Sequence, residues 1–174
     1  MLDLNTIHGL LLHYENVSFS MYHCHSEEAK KNLRYASVIG IITIFTTAFT
    51  GTASVSLLFQ EYQLLKITNI IFSYFIVTLG MVQKSYNPTK RYENHKSASQ
   101  AYISMYYTIR EYVTFNDINA IEIDEIQKWA KQINTTLEEY RKEYPYINDN
   151  VYDRVSKNCK GIRSRSKIDV IIKK

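Results

Sequence analysis

Two uncharged runs of sequence decide the fold: YASVIGIITIFTTAFTGTASVSLLF at Tyr35–Phe59 and ITNIIFSYFIVTLGMVQ at Ile67–Gln83. A helix of about 25 residues covers roughly 37 Å, which exceeds the roughly 30 Å of a bilayer's hydrocarbon core. The second run, of about 17 residues, is at the short end of the spanning range. Soluble helices normally carry a charged face, so the pattern favours a transmembrane hairpin over two core helices of a soluble bundle.

The rest of the 174-residue chain predicts further helices. A short first helix is followed by a second that begins near Ser18 or Ser20 and continues into the first span. After Asn87-Pro88, apolar residues at helical spacing predict one long helix over residues 92–113 and another that ends before Pro145. The predicted fold class is all-α, with a two-transmembrane hairpin and a cytosolic bundle formed by the N-terminal helix and the long C-terminal helices.

The expected division of the chain has four parts. They are N-terminal cytosolic helices (1–34), the transmembrane hairpin (35–83), a cytosolic helical region (84–158) and a basic tail (159–174). The net charge is +4, and a basic tail beside a membrane is expected to meet anionic lipid. Nucleic acid is not expected as a partner, because no supporting motif occurs.

The placement of charge predicts the orientation. Lys30, Lys31 and Arg34 precede the first span and Lys84, Lys90 and Arg91 follow the second, whereas the turn holds one lysine. By the positive-inside rule, both termini of this multi-pass protein of the cell membrane are expected in the cytoplasm. The tyrosines expected as lipid-facing anchors at the interfaces are Tyr35, Tyr62 and Tyr86.

Each span carries a stripe of small and polar residues, with bulky residues such as Ile42, Phe45 and Phe49 on the opposite face of the first span. The stripe residues are Gly40, Thr43, Thr47, Gly51 and Ser54 in the first span and Asn69, Ser73 and Gly80 in the second. Such residues let helices pack closely and hydrogen-bond, or they line an aqueous path in an oligomer. Both interpretations stay open. Because neither span contains Asp, Glu, Lys or Arg, a proton relay, a coupled transporter or a voltage sensor is not expected.

Candidate chemistry is sparse in this sequence. His23-Cys24-His25 together with Cys159 could supply zinc ligands, but residues two apart in a helix point to different sides, and no metal site is predicted. No phosphate-binding loop or nucleophile motif occurs. The sequence therefore predicts no catalytic residue, no cofactor and no enzymatic activity.

The order of these parts resembles the SLATT family, the two-transmembrane effectors associated with nucleotide-sensing SMODS and SLOG proteins. A helix with Tyr22, His23, Ala29, Lys30 and Tyr35 leads into the spans, and the pattern Glu93, His95, Ala98 and Tyr102 follows them. The resemblance covers about Ser18–Asn158.

The resemblance implies a membrane effector that forms a pore or perturbs the bilayer in antiviral defence by abortive infection. It also implies a protein partner that makes or senses a nucleotide signal. With the polar stripes, it leads us to expect a homo-oligomer in the lipid bilayer. The alternative is a non-enzymatic, membrane-anchored scaffold in which the stripes only pack helices.

Overall fold

The computed structural model describes residues 4–57, 63–115, 122–155 and 157–158. Its four long elements are α1 (Leu4–Leu57), α2 (Gln63–Tyr86), α3 (Pro88–Phe115) and α4 (Ile123–Glu143). A shorter helical segment covers residues 149–155, and none of the described residues lies in a strand. The predicted all-α class is therefore confirmed. The predicted basic tail (159–174) lies outside the described residues.

The first helix is unbroken over 54 residues, so the predicted start of a second helix near Ser18 or Ser20 is wrong. A capping serine has an extended backbone and bonds an exposed amide of the first turn. Ser18 instead lies fully buried in the helix interior. Between Leu10 and Tyr35 the sequence contains neither Gly nor Pro, so no residue in this stretch favours a break.

The chain divides into two compact units. The hairpin unit is Lys30–Tyr92, and the helical unit combines the chain up to Ala29 with the chain from Glu93 onward. Thus α1 and α3 each contribute residues to both units. The lipid boundaries predicted near residues 34 and 84 remain predictions, because compactness alone does not place a membrane surface.

The helical unit has a core built from three helices. The main cluster consists of Leu11 from α1, Tyr102 and Ile109 from α3, and Ile126, Ala130, Ile133 and Leu137 from α4. The α4 residues recur every three or four positions and so form one face of that helix. Burying each of the large aliphatic side chains stabilises the unit by about 1.5–3 kcal/mol. The apolar stripe predicted for α4 is confirmed in this packing.

A second, smaller cluster anchors the end of the described chain. Cys24 of α1 packs with Ile147, Val151 and Val155, and all four are buried. Residues 151–155 are helical. This segment places its two valines against α1 because they are four residues apart on one helix face.

One residue, Asn87, joins α2 to α3. Its backbone has a φ of 40°, a left-handed conformation that Asn tolerates better than most residues. Its N–H donates to the carbonyl of Gln83 at 2.9 Å, and its side-chain Oδ1 accepts from the N–H of Lys90 at 3.1 Å. Pro88 follows at the first helical position, where its missing N–H removes no helical bond. The Asn87-Pro88 pair, after which the sequence predicts a new helix, therefore ends α2 and begins α3.

Substituting Asn87 should reveal both of its roles. Asn87→Ala removes the cap and places a β-carbon at positive φ, so we expect a loss of about 1–2 kcal/mol in unfolding free energy. Asn87→Gly removes the same cap without that strain and should lose only a few tenths. Thermal unfolding in detergent, followed by circular dichroism, measures both. Equal stability of the two variants would show that the left-handed backbone carries no cost.

Candidate functional site

The hairpin unit exposes its large apolar side chains. Ile44 and Phe45 of α1 are 69% and 72% exposed, and Tyr74 of α2 is 73% exposed. Two helical stretches among the described residues are long and apolar enough to cross a membrane. In the most apolar part of each stretch, only 6% and 0% of the residues are buried. A core helix of a soluble protein would bury such a surface, whereas lipid is a favourable solvent for it.

Side-chain contacts pair α1 with α2 in antiparallel order. The pairs are Tyr35 with Tyr86 (6.3 Å between ring centroids), Phe49 with Phe72 (4.7 Å), and Ser54 with Asn69, whose Nδ2 donates to the serine Oγ at 2.9 Å. Early residues of α1 thus meet late residues of α2, as a hairpin requires. Phe49 comes two residues, or about 200° of rotation, after Thr47, so its packing against α2 is compatible with the predicted place on the face opposite the polar stripe, which stays a prediction.

The predicted stripe residues occupy two different surroundings. Gly40, Thr43 and Asn69 are half-buried, whereas Thr47, Gly51, Ser54, Ser73 and Gly80 are exposed. A methyl group added to Gly40, Gly51 or Gly80 would meet no atom within 4 Å. Within one chain, therefore, these glycines do not serve a close approach of the two helices. Whether they pack helices or line a pore between copies stays a prediction.

Sequence reasoning did not single out Thr46, a polar residue of the first span that is only 7% exposed. Its hydroxyl donates to the carbonyl of Ile42, that of Thr50 to Thr46, and that of Ser54 to Thr50. These hydroxyls therefore form a ladder of bonds to their own helix backbone, which satisfies them without water. The four-residue spacing of Thr46, Thr50 and Ser54 could have indicated this face of α1. Threonines at other positions are spaced just as regularly, so the sequence did not distinguish the faces.

Asn69 is the polar side chain that joins the two helices. Beyond its bond to Ser54, its Oδ1 is buried and has no hydrogen-bond partner among the described residues. An unsatisfied amide oxygen is costly in an apolar medium. The Oδ1 of Asn69 can therefore still accept a hydrogen bond from another donor.

Two of the three predicted anchors meet at one end of the hairpin. Tyr35 is exposed and Tyr86 is half-buried. The Tyr86 hydroxyl donates to Asn32 Oδ1 at 3.3 Å, and the Arg91 guanidinium lies 4.3 Å from the Tyr86 ring centroid. Aromatic and basic side chains that pack together suit a membrane–water interface. Tyr62 lies outside the described residues, so its anchoring role stays a prediction.

The motif after the hairpin meets α1 at a buried histidine pair. His25 Nδ1 lies 3.0 Å from His95 Nδ1, so one ring donates and the other accepts. The His25 ring also stacks on Tyr102, with centroids 5.5 Å apart and planes 14° apart. Ala98 and Tyr102 are buried beside the pair on the same face of α3, whereas Glu93 is exposed.

Sequence reasoning treated His25 and His95 separately and missed their contact. The available signal was the spacing of His95, Ala98 and Tyr102, which places all three on one helix face. His23 points elsewhere, with its ring 4.6 Å from that of Phe19. Among the described residues no group of three or more His, Cys, Asp or Glu side chains could hold a metal ion. Cys159, which the zinc interpretation needed, lies outside them.

His25 is uncharged at neutral pH. Burial, and secondarily the neighbouring His95, lowers the pKa of His25 to about 4. Burial likewise raises the pKa of Tyr102 to about 12. The site therefore presents a neutral His25 ring stacked on a neutral Tyr102.

Acid should unfold the helical unit through His25. An unfolded histidine binds a proton below its ordinary pKa of 6.5, whereas His25 in the fold stays neutral down to about pH 4. The stability contributed by the neutral form is complete above pH 6.5. It is lost as the pH falls toward 4, by about 3 kcal/mol in all.

Denaturant unfolding of the detergent-solubilised protein at several pH values measures this slope. His25→Asn should flatten the acid limb of the stability profile. His13→Gln, which removes an exposed histidine from the same helix, is the control and should retain it. An acid limb that survives His25→Asn would contradict the assignment to His25.

Comparison with known proteins agrees with this architecture. The sequence model of the SMODS and SLOG-associating 2TM effector domain family 4 matches residues 10–165, which is most of the chain. No curated protein and no solved structure shows a significant match. The family resemblance read from the sequence is thus confirmed, and with it two membrane-spanning helices as the expected build. The chain belongs to the SMODS and SLOG-associating 2TM effector domain family 4.

Proposed function

We propose that this membrane protein self-associates through one side of its hairpin and thereby forms a pore or perturbs the bilayer. The proposed setting is anti-phage defence by abortive infection, with a nucleotide-synthesising or nucleotide-sensing protein as trigger. The observation that carries the proposal is that both helices place an exposed glycine, Gly51 or Gly80, on the same side of the hairpin, together with the exposed Thr47 and Ser73.

The positions follow from helix geometry. Thr47 and Gly51 each come one residue, or about 100° of rotation, after Thr46 and Thr50, the buried and half-buried threonines on either side of Phe49 in α1. On α2, Ser73 stands in the same relation to Phe72, which contacts Phe49. Both helices are right-handed and they run antiparallel. The same rotation in each chain direction therefore leads to one common side of the hairpin.

This common side holds Gly51 and Gly80, whereas the other side holds bulky apolar residues together with Thr52 and Thr78. Phe45 and Ile71, which come one residue before the buried Thr46 and before Phe72, lie on the other side and are 72% and 62% exposed. In lipid, helices associate where small residues allow close backbone approach and polar groups hydrogen-bond. Gly51 and Gly80 have open space at their β-carbon positions, which leaves room for a helix of a second copy.

The same surface supports an aqueous path if several copies surround it. Hydroxyl and glycine groups would then face water while Phe45 and its neighbours face lipid. Because neither span holds a charged side chain, such a path would select poorly among ions. A disturbance of membrane potential is therefore the expected effect.

The family description supplies the setting of the proposal. It places domains of this family in association with SMODS and SLOG proteins. We extend that association to this chain as a trigger, with both termini and the helical unit on the cytoplasmic side. The cluster of Lys30, Lys31 and Arg34 before the hairpin supports this orientation.

A membrane-anchored scaffold is the second candidate, and one observation favours it. The hydroxyls of Thr46, Thr50 and Ser54 already bond backbone carbonyls of their own helix. They do not need water, so the polar content of α1 alone does not require a pore. Membrane potential separates the two candidates.

Thr47→Leu should abolish depolarisation when the protein is induced in bacteria with the products of its neighbouring genes. The larger side chain blocks the small-residue side without removing any contact between α1 and α2. A potential-sensitive dye gives the readout, and immunoblotting of membranes checks the protein level. Asn69→Leu should have the same effect and also lose the bond to Ser54.

Ile41→Leu is the matched control, because Ile41 is 55% exposed and lies far from the contact with α2. It should depolarise the cells as wild type does. If Thr47→Leu is equally active, the small-residue side does not mediate the effect. If the wild type leaves the potential unchanged even with its neighbours, the scaffold is the better description.

Reporter fusions test the orientation. A fluorescent protein fused to the C-terminus should fluoresce, and alkaline phosphatase at the same place should be inactive, because the positive-inside rule keeps that end in the cytoplasm. Alkaline phosphatase fused after residue 61, between the spans, should be active and serves as the control. The reverse pattern would overturn the orientation.

A further inference from the structure

We propose that a cavity in the helical unit, lined by His25, Tyr102, Tyr140, Arg141, Tyr144 and Asp149, binds a small ligand. The ligand class is a planar, nitrogen-containing aromatic ring that carries an anionic group. All of these residues belong to the helical unit, so the site is complete within it.

The size of the cavity suits such a molecule. Its volume is about 440 Å³, within the roughly 300–1,000 Å³ of most small-molecule sites. Its floor is buried, since Tyr102 and His25 are each 1% exposed. Packing holds these two rings nearly parallel, with planes 14° apart.

Aromatic rings also form the walls. Tyr140 and Tyr144 are half-buried, with ring centroids 5.5 Å apart, and Tyr102 lies 5.4 Å and 6.2 Å from them. Aromatic pairs prefer offset-stacked or edge-to-face arrangements at these separations. A planar ring that enters the cavity can adopt either arrangement against the walls, whereas a flexible aliphatic chain gains only area.

Two charged side chains that line the cavity, Arg141 and Asp149, select the charge of the ligand. Arg141 is exposed and forms no ion pair within the part of the chain that the structure describes. A guanidinium binds a carboxylate or a phosphate in bidentate fashion. The Asp149 carboxylate accepts from the Tyr146 hydroxyl. It would repel a second anion but accept from a ring N–H or amino group.

His25 gives the floor a directional hydrogen bond. Its Nδ1 is engaged with His95, which leaves Nε2 for a ligand. Because the two rings must hold opposite donor and acceptor roles, the tautomer of His95 decides whether Nε2 of His25 donates or accepts. A ligand bound there would therefore bias the bond that joins α1 to α3.

That bond lies close in sequence to the hairpin unit. His25 precedes Lys30 by five residues along α1, and His95 follows Tyr92 by three along α3. A ligand that changes the His25–His95 bond acts on the two helices that continue into the hairpin. This link to permeabilisation rests on the proposed function, whereas ligand binding does not.

Calorimetric titration of the full chain in detergent tests the site. Adenosine 5′-monophosphate and indole-3-acetate represent the two sources of the chemistry, a nucleoside phosphate and an aromatic carboxylate. We expect saturable binding of at least one with a Kd below about 1 mM. Uncharged adenosine and indole, as matched ligands, should bind about tenfold more weakly or worse. The arm that binds identifies the source.

Arg141→Gln should weaken binding about tenfold, because it removes the group that pairs with the anion. Lys142→Gln removes an equal charge from the next residue, which does not line the cavity, and should leave binding unchanged. Absence of saturable binding by both anionic probes, or equal affinity in the two variants, would falsify the proposal. Since no membrane potential enters this measurement, its failure leaves the depolarisation test standing, and the reverse also holds.

Discussion

One unbroken helix must satisfy two different environments, and the rest of the structure depends on it. At its N-terminal end α1 contributes Leu11 to the packed core of the helical unit, and further along it exposes Phe45 from the hairpin unit. Helical hydrogen bonds satisfy the backbone in both environments, so only the side chains have to change. They change from an amphipathic pattern before Tyr35 to an uncharged one after it.

In both units polar side chains bond within the protein, although the buried Oγ of Ser18 has no hydrogen-bond partner among the described residues. In the hairpin unit, threonine and serine hydroxyls bond carbonyls four residues earlier in their own helix. In the helical unit, His25 and His95 bond each other. In surroundings of low polarity such hydrogen bonds are stronger, and a donor or acceptor without a partner costs more free energy. The buried Oδ1 of Asn69 has no hydrogen-bond partner among the described residues. It lies in the hairpin, where an unpaired acceptor costs most free energy.

Much of the fold could be predicted because its signals are local. The absence of charge in two runs, the apolar period of α4 and the Asn87-Pro88 punctuation each depend on a few neighbouring residues. The contact face of α1 could not be predicted, since threonines at 43, 46, 47 and 50 point in several directions and only α2 selects among them. The histidine pair was hidden for a related reason. Seventy residues separate His25 from His95, and no periodicity links positions on different helices.

The joint between α2 and α3 has an evolutionary consequence. Only Asn87 separates the two helices. The bond of its backbone N–H ends α2, and the bond to its side-chain Oδ1 begins α3. One extra helical residue after it would turn every later side chain of α3 by about 100°, carrying His95 and Tyr102 away from α1. Natural relatives with this architecture should accordingly vary in sequence at the joint far more freely than in length. Insertions and deletions would be purged there while substitutions accumulate.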